Sequence, residues 1–324
     1  MISRSAGVPV KVVWTREDDM RQDYYRTPSR HALSATLSSE GLPTAWRHHV
    51  VSTSLARHSE LPRSDREPPH PGIYDVQGAA DLPYAIERVT VEYSPVDVGL
   101  QMGSWRSVAH SFNVFVVESF LDEIAVQGGR DPLKLRLDLL PGREVTITLP
   151  LPGRRGRPRP DRALLRRVLR AAAERADWGS PLPPGRGRGI ACCFYKQTYA
   201  AHVADVTVDA GGAARVDRVV TALDCGLVVN PSGAEAQAEG AVMDAVATVL
   251  HWGLTVRDGR VQQGNFDDYP LLRIGEAPVV ETILLPSDRP PSGMGEPPYP
   301  GVPPAITNAV FSAAGRRIRR LPIG

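Results

Sequence analysis

The chain has 324 residues, 42% of them hydrophobic, enough to bury one or two ordinary cores; its 30 prolines and 29 glycines imply many turns and argue against a helical bundle. A formal charge of +2 carries no global nucleic-acid signal, and Cys192, Cys193 and Cys225 form neither a disulfide framework nor a C-x-x-C pair. No apolar signal core opens the chain, and no apolar run approaches the ~20 residues needed to span a bilayer, so the chain as given reads as cytoplasmic.

In chain order, residues 8–14 (VPVKVVW) read as a strand entering a charged turn at 15–19. Strand patterns follow at 31–37 and 42–52, with Glu40-Gly41 as the hairpin signal, and 57–71 is polar and proline-rich, hence a loop. Val114, Val117, Phe120, Leu121 and Ile124 recur at helical spacing, which predicts a buried amphipathic helix over 113–126 stopped by Gly128-Gly129. Asp131-Pro132 starts a second helix, cap followed by proline, to about Leu140.

Residues 141–160 are rich in Pro, Gly and Arg without periodicity and mark the main internal boundary. A helix over 161–178 puts Leu164, Leu165, Val168, Leu169 and Ala172 on one side and arginines elsewhere; 181–189 reads as another linker. Gly211-Gly212, flanked by valines at 203–208 and 216–220, predicts a hairpin. An apolar helix follows over 234–251, then a hairpin at Asp258-Gly259, a strand at 279–285, a Gly/Pro-rich loop at 286–304 and a helix at 305–314.

Several mechanisms are excluded by spacing: there is no G-x-S-x-G elbow, no H-E-x-x-H and no G-x-x-x-x-G-K-[ST]. Gly185-Arg-Gly-Arg-Gly189 has glycines without the lysine of a phosphate cradle and reads as a flexible turn. His48 and His49 are neighbours in a strand pattern, face opposite sides and cannot share a metal. His110-Ser111 signals nothing by itself.

Three stretches, each ordinary alone, carry a signal together: 103–113 (GSWRSVAHSFN), 224–231 (DCGLVVNP) leading to 236–241 (AQAEGA), and 293–298 (GMGEPP) before a helix. In this order they resemble the large subunits of the xanthine dehydrogenase and aldehyde oxidase superfamily of molybdenum hydroxylases. With 8–19 (VPVKVVWTREDD), 265–273 (NFDDYPLLR) and 316–323 (RRIRRLPI), the text is similar to the isoquinoline 1-oxidoreductase β-subunit branch.

The resemblance implies an α+β fold: residues 1–140 as part of a molybdenum-cofactor-binding domain, 141–160 as linker, and 161–324 as the C-terminal cofactor-binding domain. It also implies a molybdopterin cytosine dinucleotide whose metal takes no protein side-chain ligand. Glu296 matches the family's carboxylate beside the metal, as general base. Trp105, Arg106, Ser107, Gln237 and Gly295 match cofactor contacts, Gly293 and Gly295 leaving room for the bulky group; Glu239 and Gly240 are assigned to helix packing near the site. The implied reaction is hydroxylation of an aldehyde or N-heteroaromatic carbon with oxygen from water. Electrons would leave through a small partner subunit holding two [2Fe-2S] clusters, for which this chain has no cysteine pattern.

The sequence departs from the family at Trp105-Arg106-Ser107-Val108, where xanthine oxidases have F-R-G-x-G, so purine specificity is not implied; Ala109 stands where many of the branch have glycine. The family's upstream cofactor loops are absent, which reads as a C-terminal fragment needing the N-terminal half of the large subunit; the complete enzyme would be cytoplasmic or periplasmic. Two readings stand beside the enzyme: a catalytically dead remnant that serves assembly, and an arginine-rich binding protein using 154–170.

Overall fold

The computed structural model describes residues 1–55, 74–142 and 160–323. The helices are α1 (Ile2–Ala6), α2 (Arg16–Gln22), α3 (His110–Gln127), α4 (Pro132–Asp138), α5 (Arg162–Arg175), α6 (Pro231–Leu250) and α7 (Val302–Ala314). The strands are β1 (Tyr25–Arg26), β2 (Ser29–Leu37), β3 (Pro43–Ser52), β4 (Arg88–Pro95), β5 (Met102–Gly103), β6 (Arg186–Tyr195), β7 (Thr198–Val208), β8 (Ala214–Asp224), β9 (Val256–Arg257), β10 (Arg260–Val261) and β11 (Val279–Leu284). The fold is α+β, as expected.

A four-stranded sheet of order β11-β8-β7-β6 forms the centre; only the β8/β11 pair is parallel. Strand alternation divides the core between its faces. Tyr199, Ala201 and Val203 of β7 join Leu165, Val168 and Leu169 of α5 and Leu121 and Ile124 of α3 on one side. Ala204, Val206 and Val208 join Val242 and Val246 of α6 and Ile306 and Val310 of α7 on the other. Trp46, from the smaller β2-β3-β4 sheet, packs into the first of these cores, so residues on both sides of the 141–160 stretch share one apolar interior.

Helix α7 lies at the middle. Its residues from Val302 to Val310 are all buried. It starts three residues before the expected position because Pro303 and Pro304 occupy the first turn, where a missing N–H costs nothing. A Cβ at Gly189 would sit 2.2 Å from Ala305 O, and one at Gly187 2.1 Å from Ala309 O. The expected flexible linker at 181–189 is therefore corrected from Arg186 on: Gly187 and Gly189 belong to β6 and let that strand lie directly against α7.

Two further expectations fail at the N-terminus. Residues 8–14 form no strand, because no strand among the described residues runs beside them, and Val8, Val12, Val13 and Trp14 are exposed. The charged turn at 15–19 is the start of α2, closed by a reciprocal cap between Thr15 and Asp18. Helix α3 is buried on nearly every side rather than along one stripe, since the β2-β3-β4 sheet, α4 and α7 all pack against it. The β2/β3 hairpin, α4, α5, the β7/β8 hairpin, α6, the β9/β10 hairpin and β11 lie where the sequence puts them.

The expected loop at 57–71 and most of 141–160 lie outside the described residues. Of the arginine run, Arg162, Arg166 and Arg167 donate to the carbonyls of Pro83, Leu137 and Pro286 at 3.1, 2.7 and 2.7 Å. These side chains tie two loops and the end of α4 to α5. No helix among the described residues is long and apolar enough to cross a membrane.

Candidate active site

Two loops and a helix distant in sequence meet at the end of the large sheet. The first follows β5, whose pairing with β1 sets its direction. Ser107 and Val108 then both take left-handed backbone conformations, φ 75° and 48°. For residues with a Cβ, and above all for a β-branched valine, this costs on the order of 1 kcal/mol each. It is held by Val108 N donating to Trp105 O (2.8 Å) and Ser107 Oγ donating to Glu296 O (2.8 Å). The turn also aims Ser107 N–H at Glu296 Oε1, 3.3 Å away.

Helix α6 supplies the second face. Asn230 caps it by accepting from Gly233 N (3.2 Å), and Pro231 fills the first turn. Gln237, Gly240 and Asp244, spaced i, i+3, i+7, lie on one side. Arg106 runs along that side: Nη1 reaches Asp244 Oδ2 at 2.7 Å, and Nη2 donates to Gln237 O and Oε1 at 3.2 and 3.4 Å. A Cβ at Gly240 would come within 3.9 Å of Arg106 Nη1. Arg106 Nε donates to Gly295 O at 2.7 Å, so this one guanidinium joins all three stretches.

The second loop, 286–296, is moored to the end of β8. Buried Asp224 accepts from Arg289 Nη2 (2.8 Å) and from Gly226 N (3.2 Å); Gly226 is left-handed, and a Cβ there would stand 2.0 Å from Pro290 O. Ser292 N donates to Cys225 O at 2.8 Å. The 224–231 motif thus acts mainly by position, anchoring the loop with its first half and starting α6 with its second.

Glu296 stands at the junction, its side chain 26% exposed. Oε1 accepts from Ser107 N, while Oε2 makes an ion-pair contact with Lys196 Nζ and has no hydrogen bond. His110, at the start of α3, lies behind it. Burial pushes this imidazole below its ordinary range, while Asp81 and Glu296 draw it up. Its Nε2 is 3.7 Å from Asp81 Oδ2, and its ring lies tilted by 34° against Tyr195, centroids 4.2 Å apart. The cavity behind it, lined by Asp81, His110, Glu118, Cys192 and Cys193, measures about 20 Å³. That is room for about one water, not a substrate.

Arg106, Ser107, Gln237, Gly295 and Glu296 are therefore brought together. Trp105 lies beneath them, half-buried and edge-on to Trp252 (centroids 5.6 Å), with its indole N–H buried and, among the described residues, unpartnered. Glu239 is exposed, one residue round the helix from the face that meets Arg106, which corrects its assignment to packing; Gly240 does pack there. Asp244 and Lys196 belong to the site and were not singled out, and His110, set aside as no signal by itself, lies behind Glu296. The i+7 spacing from Gln237 signals Asp244, but nothing local signals a lysine one hundred residues from its carboxylate. His48 and His49 do face opposite ways, toward His31 and Ser94 respectively.

Two family models of a molybdopterin cofactor-binding domain match the chain, over residues 1–139 and 170–278. A membrane-bound aldehyde dehydrogenase of Gluconacetobacter polyoxogenes, whose name carries pyrroloquinoline quinone, is 31% identical over 98% of this chain and 42% of its own length. Isoquinoline 1-oxidoreductase subunit beta of Brevundimonas diminuta is 31% identical over 99% of this chain and 39% of its own. Quinoline 2-oxidoreductase of Pseudomonas putida 86 superimposes with a TM-score of 0.77 at 14% identity, over 99% of this chain and 64% of that one. The chain spans about two-fifths of the length of the two curated relatives.

Proposed function

The chain belongs to the molybdopterin-binding large subunits of the molybdenum hydroxylases, and from that premise we propose that it carries the catalytic glutamate of an enzyme that hydroxylates an aldehyde or an N-heteroaromatic carbon with oxygen from water. The observation that carries this reading is the convergence on Arg106: one guanidinium holds the 103–109 loop, the Gln237 face of α6 and the Gly295 carbonyl, which leaves Glu296 at their meeting point.

The residues fit a molybdopterin. Among the described residues, Trp105 Nε1–H is a buried donor without a partner, and Glu296 Oε2 has the Lys196 ammonium as its contact. The Gln237 carboxamide accepts from Arg106 through its oxygen, which leaves the amide end as donor. A Cβ at Gly295 would meet only Gln237 Oε1, at 3.7 Å, so the loop leaves space for a bulky neighbour. Uncharged donors beside two ion-paired carboxylates, Asp244 with Arg106 and Glu296 with Lys196, suit an organic group that brings its own metal. The two family-model matches favour this group over the quinone in one relative's name. We assign it as the cytosine dinucleotide. When bound, the group supplies the electron sink and the activated water oxygen.

This chain's own part is proton handling and orientation. Glu296 takes up a proton at Oε2, while the Ser107 N–H on Oε1 and the Arg106 bond to Gly295 O fix the carboxylate's direction. Electrons leave through a small subunit with two [2Fe-2S] clusters. Residues from 1–140 and 161–324, which share one apolar interior, both contribute to the cofactor face, and the enzyme works in the cytoplasm or periplasm.

The test is Glu296→Gln in the assembled enzyme, which deletes a base without changing shape. Molybdenum content should stay at the parent level while turnover falls by about 10²–10⁴. Near-normal turnover in a molybdenum-replete variant would sink the assignment. An inactive remnant, the second reading, would show no turnover in the parent.

A further inference from the structure

We propose that Lys196 is a positioning residue for Glu296: its ammonium is the counter-ion that keeps the carboxylate turned into the site, by a one-point contact that can be released. The inference rests on the reading of Glu296 as the base.

The turn that delivers Lys196 is built at a cost. Strands β6 and β7 are joined by two residues only, Lys196 and Gln197, both left-handed at φ 46° and 66°. Such a turn is ordinarily Asn-Gly or Gly-Gly, whose side chains tolerate these angles. Here it holds two long side chains. Strain of this kind persists where the surroundings over-determine it, and they do. Thr198 Oγ1 donates to Gly293 O (2.5 Å) and lies 2.7 Å from Ser292 Oγ; Gly293 N donates to Lys196 O (3.3 Å), and Arg289 Nη1 to Gln197 O (3.1 Å). The turn and the Glu296 loop are thus bonded to each other along 292–293. A Cβ at Gly293 would come within 3.0 Å of Lys196 Cβ, so glycine there leaves the lysine its path.

The choice of cation is informative. The chain has 38 basic residues, and lysine occurs only at 11, 134 and 196. An arginine at 196 would grip both carboxylate oxygens with its planar fork; an ammonium is a point charge and takes one. Lys196 takes Oε2, leaving Oε1 to Ser107 N–H. The groups facing Glu296 are accounted for from each element: His110 from α3, with Asp81 beyond it; Arg106 from the 103–109 loop, engaged with Gly295 O, Asp244 and Gln237; Tyr195 and Lys196 from the β6/β7 hairpin. Among the described residues, Lys196 is the cation in direct contact with the carboxylate. The lysine is 54% exposed, so the pair is weak and exchanges readily with water. That suits a contact that must let the base work.

Two measurements on the assembled enzyme test this. The first is the pH profile of kcat/KM for Lys196→Met and Lys196→Arg. Without the ammonium the acid limb should move up by about half to one pH unit, with the plateau about three- to tenfold lower. Lys196→Arg should return the limb to the parental position without restoring the plateau, because the fork occupies both oxygens. An unmoved limb in Lys196→Met overturns the proposal. The second is competitive acetylation with acetic anhydride at pH 8, mapped by mass spectrometry, with Lys134, beside Asp138, as the internal reference. Glu296→Gln should raise the relative reactivity of Lys196 several-fold, and equal reactivity in variant and parent overturns the proposal at any level of turnover. Raised reactivity with full turnover would instead remove Glu296 as base while leaving the contact intact, so the two failures are distinguishable.

Discussion

Two glutamates in this molecule are each joined to one cation, and their surroundings put them to opposite uses. Glu118, on α3, is 2% exposed and fully satisfied: Tyr84 OH donates to Oε1 at 2.5 Å, and Arg136 Nε and Cys192 N to Oε2 at 2.8 and 3.0 Å. Even its carbonyl receives Arg136 Nη2, at 2.9 Å. Burial works against the Arg136 charge, yet Glu118, Tyr84 and Asp122 together hold its pKa above the ordinary arginine range. The same burial drives Tyr84 and Cys192 far up, so both stay protonated donors. Glu296 has one N–H on one oxygen and a solvent-exposed ammonium on the other. A carboxylate held by three hydrogen bonds in a dry interior can only hold structure, whereas one left half-satisfied at a surface junction can take a proton.

The contrast breaks most sharply at Glu118→Ala. Removing one partner leaves Arg136 charged and buried, which costs about 3–5 kcal/mol. Chemical denaturation should show that loss, whereas Glu296→Gln should unfold within about 1 kcal/mol of the parent while losing turnover. A Glu118→Ala variant as stable as the parent would mean that the interior network is incidental.

A smaller effect separates the regions by pH. Burial lowers His31 to about 4, His48 to about 3 and His202 to about 3, all from 6.5. Folded-state values below the unfolded one mean that the unfolded chain binds more protons between pH 6.5 and about 3. Stability from these residues is therefore present above pH 6.5 and is lost as pH falls through 4 to 3. Replacing His48 and His202, in separate variants, by an apolar residue of similar size should flatten this acid slope; a slope unchanged in both would refute it. The smallest effect belongs to Arg47 and Glu92, exposed partners on β3 and β4 with 2.9 Å between Nη2 and Oε2. Arg47→Ala should cost under about 1 kcal/mol in the same denaturation assay and nothing in turnover.

What the sequence determined by itself was whatever depends on neighbours in the chain. The helical spacing of Val114 to Ile124, the Asp131-Pro132 start, the Gly211-Gly212 and Asp258-Gly259 turns and the valine alternation of β7 and β8 are local signals, and those elements lie where they were expected. The three motifs also named in advance the residues gathered around Arg106. Only the tertiary structure decided the rest. Residues 185–189 look like a flexible turn until α7, more than one hundred residues later, is laid on Gly187 and Gly189. Residues 8–14 alternate like a strand, but a strand exists only where a second edge takes its hydrogen bonds. Lys196 became part of the site because a two-residue turn and the 286–296 loop are bonded to each other, and Asp244 because Arg106 reaches it across α6. Propensity and capping act over a few residues, while burial, close backbone approach and charge pairing depend on distance in space, which the order of residues does not state.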